Sequence, residues 1–461
     1  MKIDLKKILW MIGLALVCYS ATLSALLNRY LPAVLRYSLP LVSMVVFLLA
    51  NRLRLKCNLP VYYLPWALFF LFAIVAILRH PTDNLMATLT MFLCIVMGFL
   101  LMQNIGWLGI ARKLLACFTG IYVFFTYFFF FFPKAYPIMK KLYGYYPIGT
   151  LNGKAGYHAG LADHYSSNGI YISICLMLVA ILWMTSENET QAERRKKSTL
   201  LILLVLTAVA LLLTTKRGVL VWSLFAVVAT YWIVNQKKLR SFLQLVAMAV
   251  GGYALLYFLM GMIPALSDVF ERFSTMGKDG ASLERLAMWQ LALSMFGEYP
   301  VFGAGFWSFP QYYARRLFGI FNNDRRYKYN MAAHNVYFQV LGETGLVGFI
   351  LYLSAVGLVL LETIRLVRKY FHAPNPEIRF AVTFSLCIQF FYLAYSLSGN
   401  CLYDIVFYFY GIALAMTTAL NHYDRHNKRK AEEPAALQKT KKRKDGASKL
   451  RIRFVFGRRR V

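Results

Sequence analysis

The sequence is dominated by apolar runs of about twenty residues, the length that an α-helix needs to cross the hydrocarbon core of a bilayer. We count about twelve such runs by this measure, the first starting near residue 8 and the last ending near residue 420. A backbone in lipid must satisfy its own hydrogen bonds, and a helix does so within each segment. The sequence therefore predicts an all-α fold: a polytopic membrane helical bundle of about 12 transmembrane helices with a large, partly helical external loop.

Composition supports this class and argues against a nucleic-acid partner. The chain is 59% hydrophobic and 15% charged, whereas soluble domains carry about 25% charged residues. The formal net charge is +31, but residues 421–461 hold 15 Lys and Arg against four Asp and Glu. Much of the remaining excess lies in short loops between apolar runs, as the positive-inside rule describes. We therefore expect the basic residues to meet membrane lipids.

The distribution of basic residues also predicts the topology. The strongest Lys and Arg clusters fall on alternate loops and on both termini, which indicates cytoplasmic N- and C-termini in the cell (inner or plasma) membrane. We divide the chain into an N-terminal transmembrane bundle of about nine spans with an external loop at 133–168, a large external or periplasmic loop, C-terminal transmembrane helices, and a basic, disordered cytoplasmic tail. The boundaries are 1–263, 264–345, 346–420 and 421–461.

A polar stretch at residues 333–348 closes the long external loop. His334 can take or give a proton near neutrality, and the Asn335 side chain can cap the helix that follows. Gly345 and Gly348 allow a sharp turn and close helix contact. Taken alone, a histidine at a membrane surface is more often an interfacial anchor than a catalyst. Glu343 either orients His334 or satisfies backbone groups at the helix end, and the sequence leaves both roles open.

The segment Thr214–Gly218 joins two spans with almost no loop. An arginine at such a boundary is often an anchor, but the fork of donors on the Arg217 guanidinium also suits a phosphate oxygen. In the loop 133–168, the residues Lys154, His158, Asp163 and His164 are candidates for acceptor binding and are too loosely spaced to be metal ligands.

Residues 282–296 have the spacing of an amphipathic helix. Arg285 precedes Trp289 by one turn, so both side chains can face one pocket, although a solvated helix charge is an equal alternative for Arg285. Further along, Arg315 and Arg316 form part of a basic cluster that suits a diphosphate or a sugar acid, or simply a solvated surface.

Three blocks, in this order along the chain, resemble the O-antigen ligase/polymerase superfamily. Thr215-Lys216-Arg217-Gly218 is similar to its Ser/Thr-x-Arg-Gly element. The segment from Arg285 to Gly303 and Gly305 resembles its Arg-helix-Pro-x-x-Gly-x-Gly block. The pair His334-Asn335, followed after nine intervening residues by Gly345-x-x-Gly348, resembles its third signature. The joint match is more specific than any single block.

The resemblance implies a multi-span, metal-independent glycosyltransferase of surface polysaccharide or lipopolysaccharide biosynthesis. Such an enzyme moves a glycan from an undecaprenyl-diphosphate carrier to the hydroxyl of a glycan or lipid-linked sugar acceptor at the outer face, with no cofactor. His334 would be the general base, with Arg217 and Arg285 as further catalytic residues that hold the diphosphate. The implied substrate-binding set is Arg217, Arg285, Trp289, Asn335, Arg315 and Arg316, and the structural motif residues are Gly303, Gly305, Gly345 and Gly348.

Two alternatives remain open. A polymerase of the same superfamily would carry the same motifs, and the sequence does not separate it from a ligase. A lipid-linked oligosaccharide exporter would need polar residues along a route through the membrane, and charges inside the apolar runs are scarce.

Overall fold

The computed structural model describes residues 4–27, 33–52, 59–79, 81–147, 158–187, 189–235, 243–244, 251, 280–318 and 332–428. This part of the chain contains fourteen α-helices. They are α1 (Leu5–Thr22), α2 (Ala33–Ala50), α3 (Tyr63–Arg79), α4 (Pro81–Leu101), α5 (Leu108–Phe131), α6 (Pro137–Tyr143), α7 (Tyr165–Thr185), α8 (Gln191–Leu213), α9 (Arg217–Val234), α10 (Gly280–Glu298), α11 (Phe309–Phe318), α12 (Val336–Tyr370), α13 (Pro376–Tyr395) and α14 (406–428).

The all-α polytopic fold is confirmed. Seven of the described helices are long and apolar enough to cross a membrane: α1, α5, α7, α8, α9, α12 and α13. Shorter apolar segments of 10–17 residues lie in α2, α3 and α4. Eleven of the twelve predicted runs coincide with a helix, α14 included. The remaining predicted run, near residues 242–263, lies outside the described residues except for 243, 244 and 251. The basic tail after residue 428 also lies outside them.

The central helices are α7 and α13. Of the most apolar 18-residue window in each helix, 78% and 83% of residues are buried, against 28% in α5. Helix α13 packs on α5, α7, α9 and α12, and α12 packs in turn on α3 and α10. Because lipid replaces water around such a bundle, the outer helices turn large apolar side chains outward, as Ile202 and Phe225 do.

Helix α12 is two helices joined at Gly345, whose φ of 63° and ψ of −167° break the helical path. The sharp turn that the sequence predicts here is confirmed. At the other end of α12, Arg365 and Lys369 pair with the buried carboxylate of Asp424. From Leu346 to Lys369 the helix rises by roughly 36 Å at 1.5 Å per residue, which is enough to cross a bilayer. The residues around Gly345 and the Asp424 cluster therefore lie at opposite ends of the bundle.

Candidate functional site

The turn between α8 and α9 is as tight as the sequence predicts. Helix α8 ends at Leu213 and α9 begins at Arg217, and Thr215 takes a left-handed conformation with φ of 55°. The backbone N–H of Lys216 donates to the Thr214 hydroxyl (3.4 Å). On α7, a Cβ added at Gly169 would lie 3.1 Å from Lys216 Cβ, so α7 packs directly against this turn.

His334 lies immediately before α12, also in a left-handed conformation, with φ of 52°. Its backbone N–H donates to Asn400 Oδ1 (3.1 Å), in the loop between α13 and α14. The next residue, Asn335, caps α12 as predicted: its Oδ1 accepts from the N–H groups of Tyr337 (3.0 Å) and Phe338 (3.2 Å). This cap leaves Asn335 only 5% exposed.

Lys216, Arg285 and His334 lie close enough together for the cations to lower the pKa values of their neighbours. Burial, together with the positive charges of Arg285 and Lys216, lowers the pKa of His334 to about 4. Burial also lowers the pKa of Lys216 to about 8, with a contribution from Arg285 that Asp404 partly opposes. Cations close to the imidazole disfavour its protonation, so His334 is neutral at physiological pH. Arg217, which follows Lys216 directly, is the first residue of α9.

The other face of Lys216 meets the start of α7. Its ammonium lies 5.8 Å from the centre of the Tyr165 ring. His164 caps α7 by accepting the Ser166 N–H at Nδ1 (2.9 Å), which leaves the Nε2 position as the donor of a neutral imidazole. Burial lowers the pKa of His164, and Lys216 lowers it further. Of the candidates in the 133–168 loop, His164 is therefore at the Lys216 site; Lys154 lies outside the described residues.

Sequence reasoning missed Asp404, which lies 70 residues after His334. Its side chain is accessible to solvent, although desolvation by the surrounding protein raises its pKa, partly opposed by the Ile405 N–H and by Lys216. Its neighbours Leu402 and Val406 are buried. The Asp404 carboxylate is therefore close enough to Lys216 to interact with it electrostatically.

Glu343 is the buried centre of the surrounding hydrogen bonds. Oε1 accepts from Gln339 Nε2 (2.9 Å) and the Phe309 N–H (3.1 Å). Oε2 accepts from the Trp307 N–H (2.8 Å) and the Tyr403 hydroxyl (2.5 Å). The carboxylate therefore joins α12 to the segment before α11 and to the loop before α14. Gln339 also accepts the Ala333 N–H (2.9 Å), one residue before His334. Glu343 therefore satisfies backbone N–H groups at the start of α11, and it is linked to the residue before His334 through Gln339.

The two glycine motifs lie against each other. Gly303 and Gly345 both have positive φ, of 70° and 63°. A Cβ at Gly303 would lie 2.2 Å from the Glu343 carbonyl oxygen, and one at Gly345 would lie 2.4 Å from the Val301 carbonyl. The backbone N–H groups of Gly305 and Leu346 donate across this contact, to Glu343 and Pro300 (2.8 and 2.9 Å). Only glycine permits so close an approach.

The remaining glycines serve packing and backbone conformation. Gly348 makes room for the Thr344 side chain, which a Cβ would approach to 2.2 Å. Gly305 has a φ of 121° with open space around it.

The predicted helix at 282–296 is α10, two residues longer at each end. Trp289 packs edge-on against Phe338 of α12, with ring centroids 5.8 Å apart. Its buried Nε1–H has no hydrogen-bond partner within the described ranges. Leu286 and Leu293 are exposed, as a helix resting at a membrane interface requires.

Arg315 and Arg316 lie at the other end of α10 from Arg285. Arg316 pairs with Glu298 and lies over the Tyr312 ring. Glu298 follows Arg285 by 13 residues, or roughly 20 Å along the helix axis. The predicted substrate-binding set therefore occupies two regions, one around Arg285 and one around Arg315.

Residues 201–353 match the protein-family model described as O-Antigen ligase. This segment contains all three motif blocks and the residues Arg217, Arg285 and His334. Residues 201–353 belong to the O-antigen ligase-like superfamily. No curated protein matches the chain. Membership in this superfamily implies a membrane enzyme of the ligase or polymerase type, which acts on lipid-linked glycans.

Proposed function

We propose that this O-antigen ligase-like protein transfers a glycan from an undecaprenyl-diphosphate carrier to an acceptor hydroxyl at the outer face of the cell membrane. The observation that carries the proposal is the proximity of His334 to the cations Lys216 and Arg285, whose charges, together with burial of the imidazole, keep the pKa of His334 low. A neutral imidazole can accept a proton. Fixed cations in a protected site stabilise the negative charge that develops on a leaving diphosphate.

The proposed reaction is a single displacement at the anomeric carbon of the donor. The acceptor oxygen forms a bond to that carbon while the bond from the carbon to the diphosphate oxygen breaks. His334 takes the acceptor proton, and the electron pair leaves with the diphosphate, whose charge Arg217, Arg285 and Lys216 stabilise. Arginine supplies two parallel donors to phosphate oxygens, so this mechanism needs no metal.

The remaining substrate contacts follow from chemistry. Sugars stack on aromatic faces, and Trp289 offers a ring and a buried indole N–H on the helix that carries Arg285. The Oδ1 atom of Asn335 is engaged in capping α12, so its contact with the substrate is made by Nδ2 or by the backbone.

A transfer assay with purified protein in nanodiscs tests the proposal. With undecaprenyl-diphosphate glycan and acceptor, we expect the wild type to form product in the presence of chelator. His334→Gln should lose most transfer, because an amide can hold a hydrogen bond but cannot take the proton. Robust product from His334→Gln would reduce His334 to a structural role. Loss of wild-type activity in chelator would refute the metal-free mechanism.

A ligase and a polymerase differ in the acceptor, and a deletion strain distinguishes them. Unlinked full-length polymer would indicate a lost ligase, and single-repeat products a lost polymerase.

The exporter alternative is less well supported. Within the described bundle, three buried polar side chains bond to one another: Gln389 donates to Thr363 (2.7 Å), which also contacts Thr417 (2.9 Å). A transport route would instead present such groups to a water-filled path. Transport of the lipid-linked glycan across vesicles by His334→Gln, at the wild-type rate and without transfer by either protein, would favour the exporter.

A further inference from the structure

A second pocket lies between α3, α10 and α11, at the end of α10 remote from Arg285. Its volume is about 140 Å³, and its lining includes Ala76, Met295, Tyr299, Phe306, Tyr312 and Arg315. Met295 lies ten residues beyond Arg285, or roughly 15 Å along the helix. Met288, Ala292 and Met295 of α10 belong to a small hydrophobic core. They lie along the helix from Arg285 to the pocket. The pocket is therefore separate from the His334 site.

The pocket opens between two surfaces that suit lipid. On α3, the residues flanking Ala76 are strongly exposed, with Val75 at 47% and Leu78 at 79%. On the other side, the loop after Tyr299 exposes Val301 and Phe302, at 53% and 66%. Large exposed apolar side chains on both sides of the pocket fit a surface that faces lipid.

The loop that bears Val301 and Phe302 is held in a fixed position. The Leu346 N–H donates to the Pro300 carbonyl (2.9 Å), and the Val347 N–H to the Val301 carbonyl (3.2 Å). Leu346 itself is 51% exposed at the start of the long segment of α12. The apolar loop therefore continues the outer surface of a membrane helix, and the pocket beside it lies at the boundary of the bilayer.

The polar part of the pocket carries positive charge. Glu298, the acidic residue at the end of α10, already accepts from the Tyr312 hydroxyl (2.7 Å) and pairs with Arg316. Arg315 is exposed at the pocket and forms no ion pair with the described residues. An exposed guanidinium that lines one pocket with Tyr299 and Tyr312 has the charge and the donors to hold a phosphate.

We propose that this pocket binds the phosphate-bearing headgroup of a membrane lipid, with Arg315 as its phosphate ligand. The rings of Tyr299 and Tyr312 lie at the level of the headgroup, and the acyl chains run along the exposed faces of α3 and the Val301–Phe302 loop. The same chemistry is offered by an anionic phospholipid and by a phosphorylated glycolipid acceptor. With a phospholipid bound, this site takes no part in the proposed transfer; with the phosphorylated glycolipid bound, it would hold the acceptor, a role that rests on the proposed function.

Native mass spectrometry of lipid retention tests the site without any turnover. The full chain is reconstituted in nanodiscs of phosphatidylcholine with phosphatidylglycerol, released, and analysed as wild type, Arg315→Gln and Lys134→Gln. We expect one retained phosphatidylglycerol in the wild type and a loss of about tenfold or more in Arg315→Gln, since charged hydrogen bonds contribute strongly. Lys134→Gln removes one charge from an exposed lysine elsewhere and should retain the lipid.

Equal retention of both lipids by the wild type, or wild-type retention by Arg315→Gln, would overturn the proposal. A second arm identifies the source of the phosphate. Displacement of phosphatidylglycerol by a phosphorylated glycolipid, but not by its dephosphorylated form, assigns the pocket to the glycolipid. If phosphatidylglycerol remains bound, the pocket belongs to the phospholipid. Both results leave transfer activity as a separate measurement, so failure of one proposal does not decide the other.

Discussion

Replacement of Glu343 by glutamine tests how the site is assembled. Two donors point at each oxygen of this carboxylate, so an amide nitrogen at either position faces two hydrogens. The hydroxyl of Tyr403 can rotate and accept, and the less costly arrangement therefore puts the nitrogen at the Oε2 position. The Trp307 N–H is then left without an acceptor. A buried unsatisfied donor costs about 1–3 kcal/mol.

That cost corresponds to a factor of about 5 to 150 in the population of the assembled site. In Glu343→Gln we expect kcat for glycan transfer to decrease by a factor in this range, while the protein still inserts into the membrane. Hydrogen exchange at Trp307 and the residues beside it should accelerate in parallel, because the Trp307 N–H loses its acceptor.

Glu377→Gln is the matched control. This carboxylate pairs with Arg112 at a partly exposed position (2.8 Å), and exposed pairs contribute at most about 1 kcal/mol. Wild-type kcat and unchanged exchange in Glu343→Gln would refute the role of the carboxylate in joining the three segments.

Three further experiments test the glycine contact, the role of Arg217 and the orientation of the chain in the membrane. Gly345→Ala should abolish most transfer and lower the Tm, because its Cβ would clash with backbone at 2.4 Å. The control Gly357→Ala, in open space on the same helix, should do neither. Normal activity in Gly345→Ala would contradict the close contact. Arg217→Lys should reduce transfer steeply without loss of insertion, since lysine lacks the bidentate fork; near-normal turnover would make Arg217 an anchor. A cysteine at Ser308 should react with an impermeant thiol reagent in intact spheroplasts while one at Ser448 should not, and the reverse pattern would invert the orientation.

Local signals in the sequence were sufficient for the helices and for several details. Run length predicts the spans because a helix must cover the bilayer. The cap by Asn335, the turn before Arg217 and the kink at Gly345 each depend on residues within a few positions of one another. Such features are decided by backbone chemistry that a single sequence displays directly.

Contacts between distant segments were beyond this reasoning. Asp404 is near Lys216 because the loop before α14 is tied to His334 through Asn400 and to Glu343 through Tyr403. Neither tie has a local pattern. In the sequence, Arg285 belongs to the same long polar loop as Arg315 and Arg316. In the structure, the length of α10 separates these two regions by roughly 20 Å. Closeness along the sequence does not reveal that a rigid helix holds the two groups of arginines apart.

The electrostatics of the site predict a pH profile with two limbs. The kcat/KM value reports groups of the free enzyme, in which the pKa of His334 is about 4 and that of Lys216 about 8. His334 acts as a base in its neutral form, present above its pKa, and Lys216 supplies charge below its own. The value of kcat/KM should therefore be level between these limits, fall towards pH 4 as the imidazole is protonated, and fall above pH 8 as the ammonium loses its proton.

Two comparisons separate these limbs from other titrations. Lys216→Arg keeps its charge throughout this range, so its profile should lose the alkaline limb while the acid limb remains. Binding of the diphosphate brings negative charge to His334, and an opposite charge nearby raises the pKa of an imidazole. The acid limb of kcat, which reports the bound complex, should therefore lie at higher pH than that of kcat/KM. An acid limb of kcat/KM near pH 6.5 would show that burial and the charges of Arg285 and Lys216 do not lower the pKa of His334. An alkaline limb that persists in Lys216→Arg would assign that limb to another group.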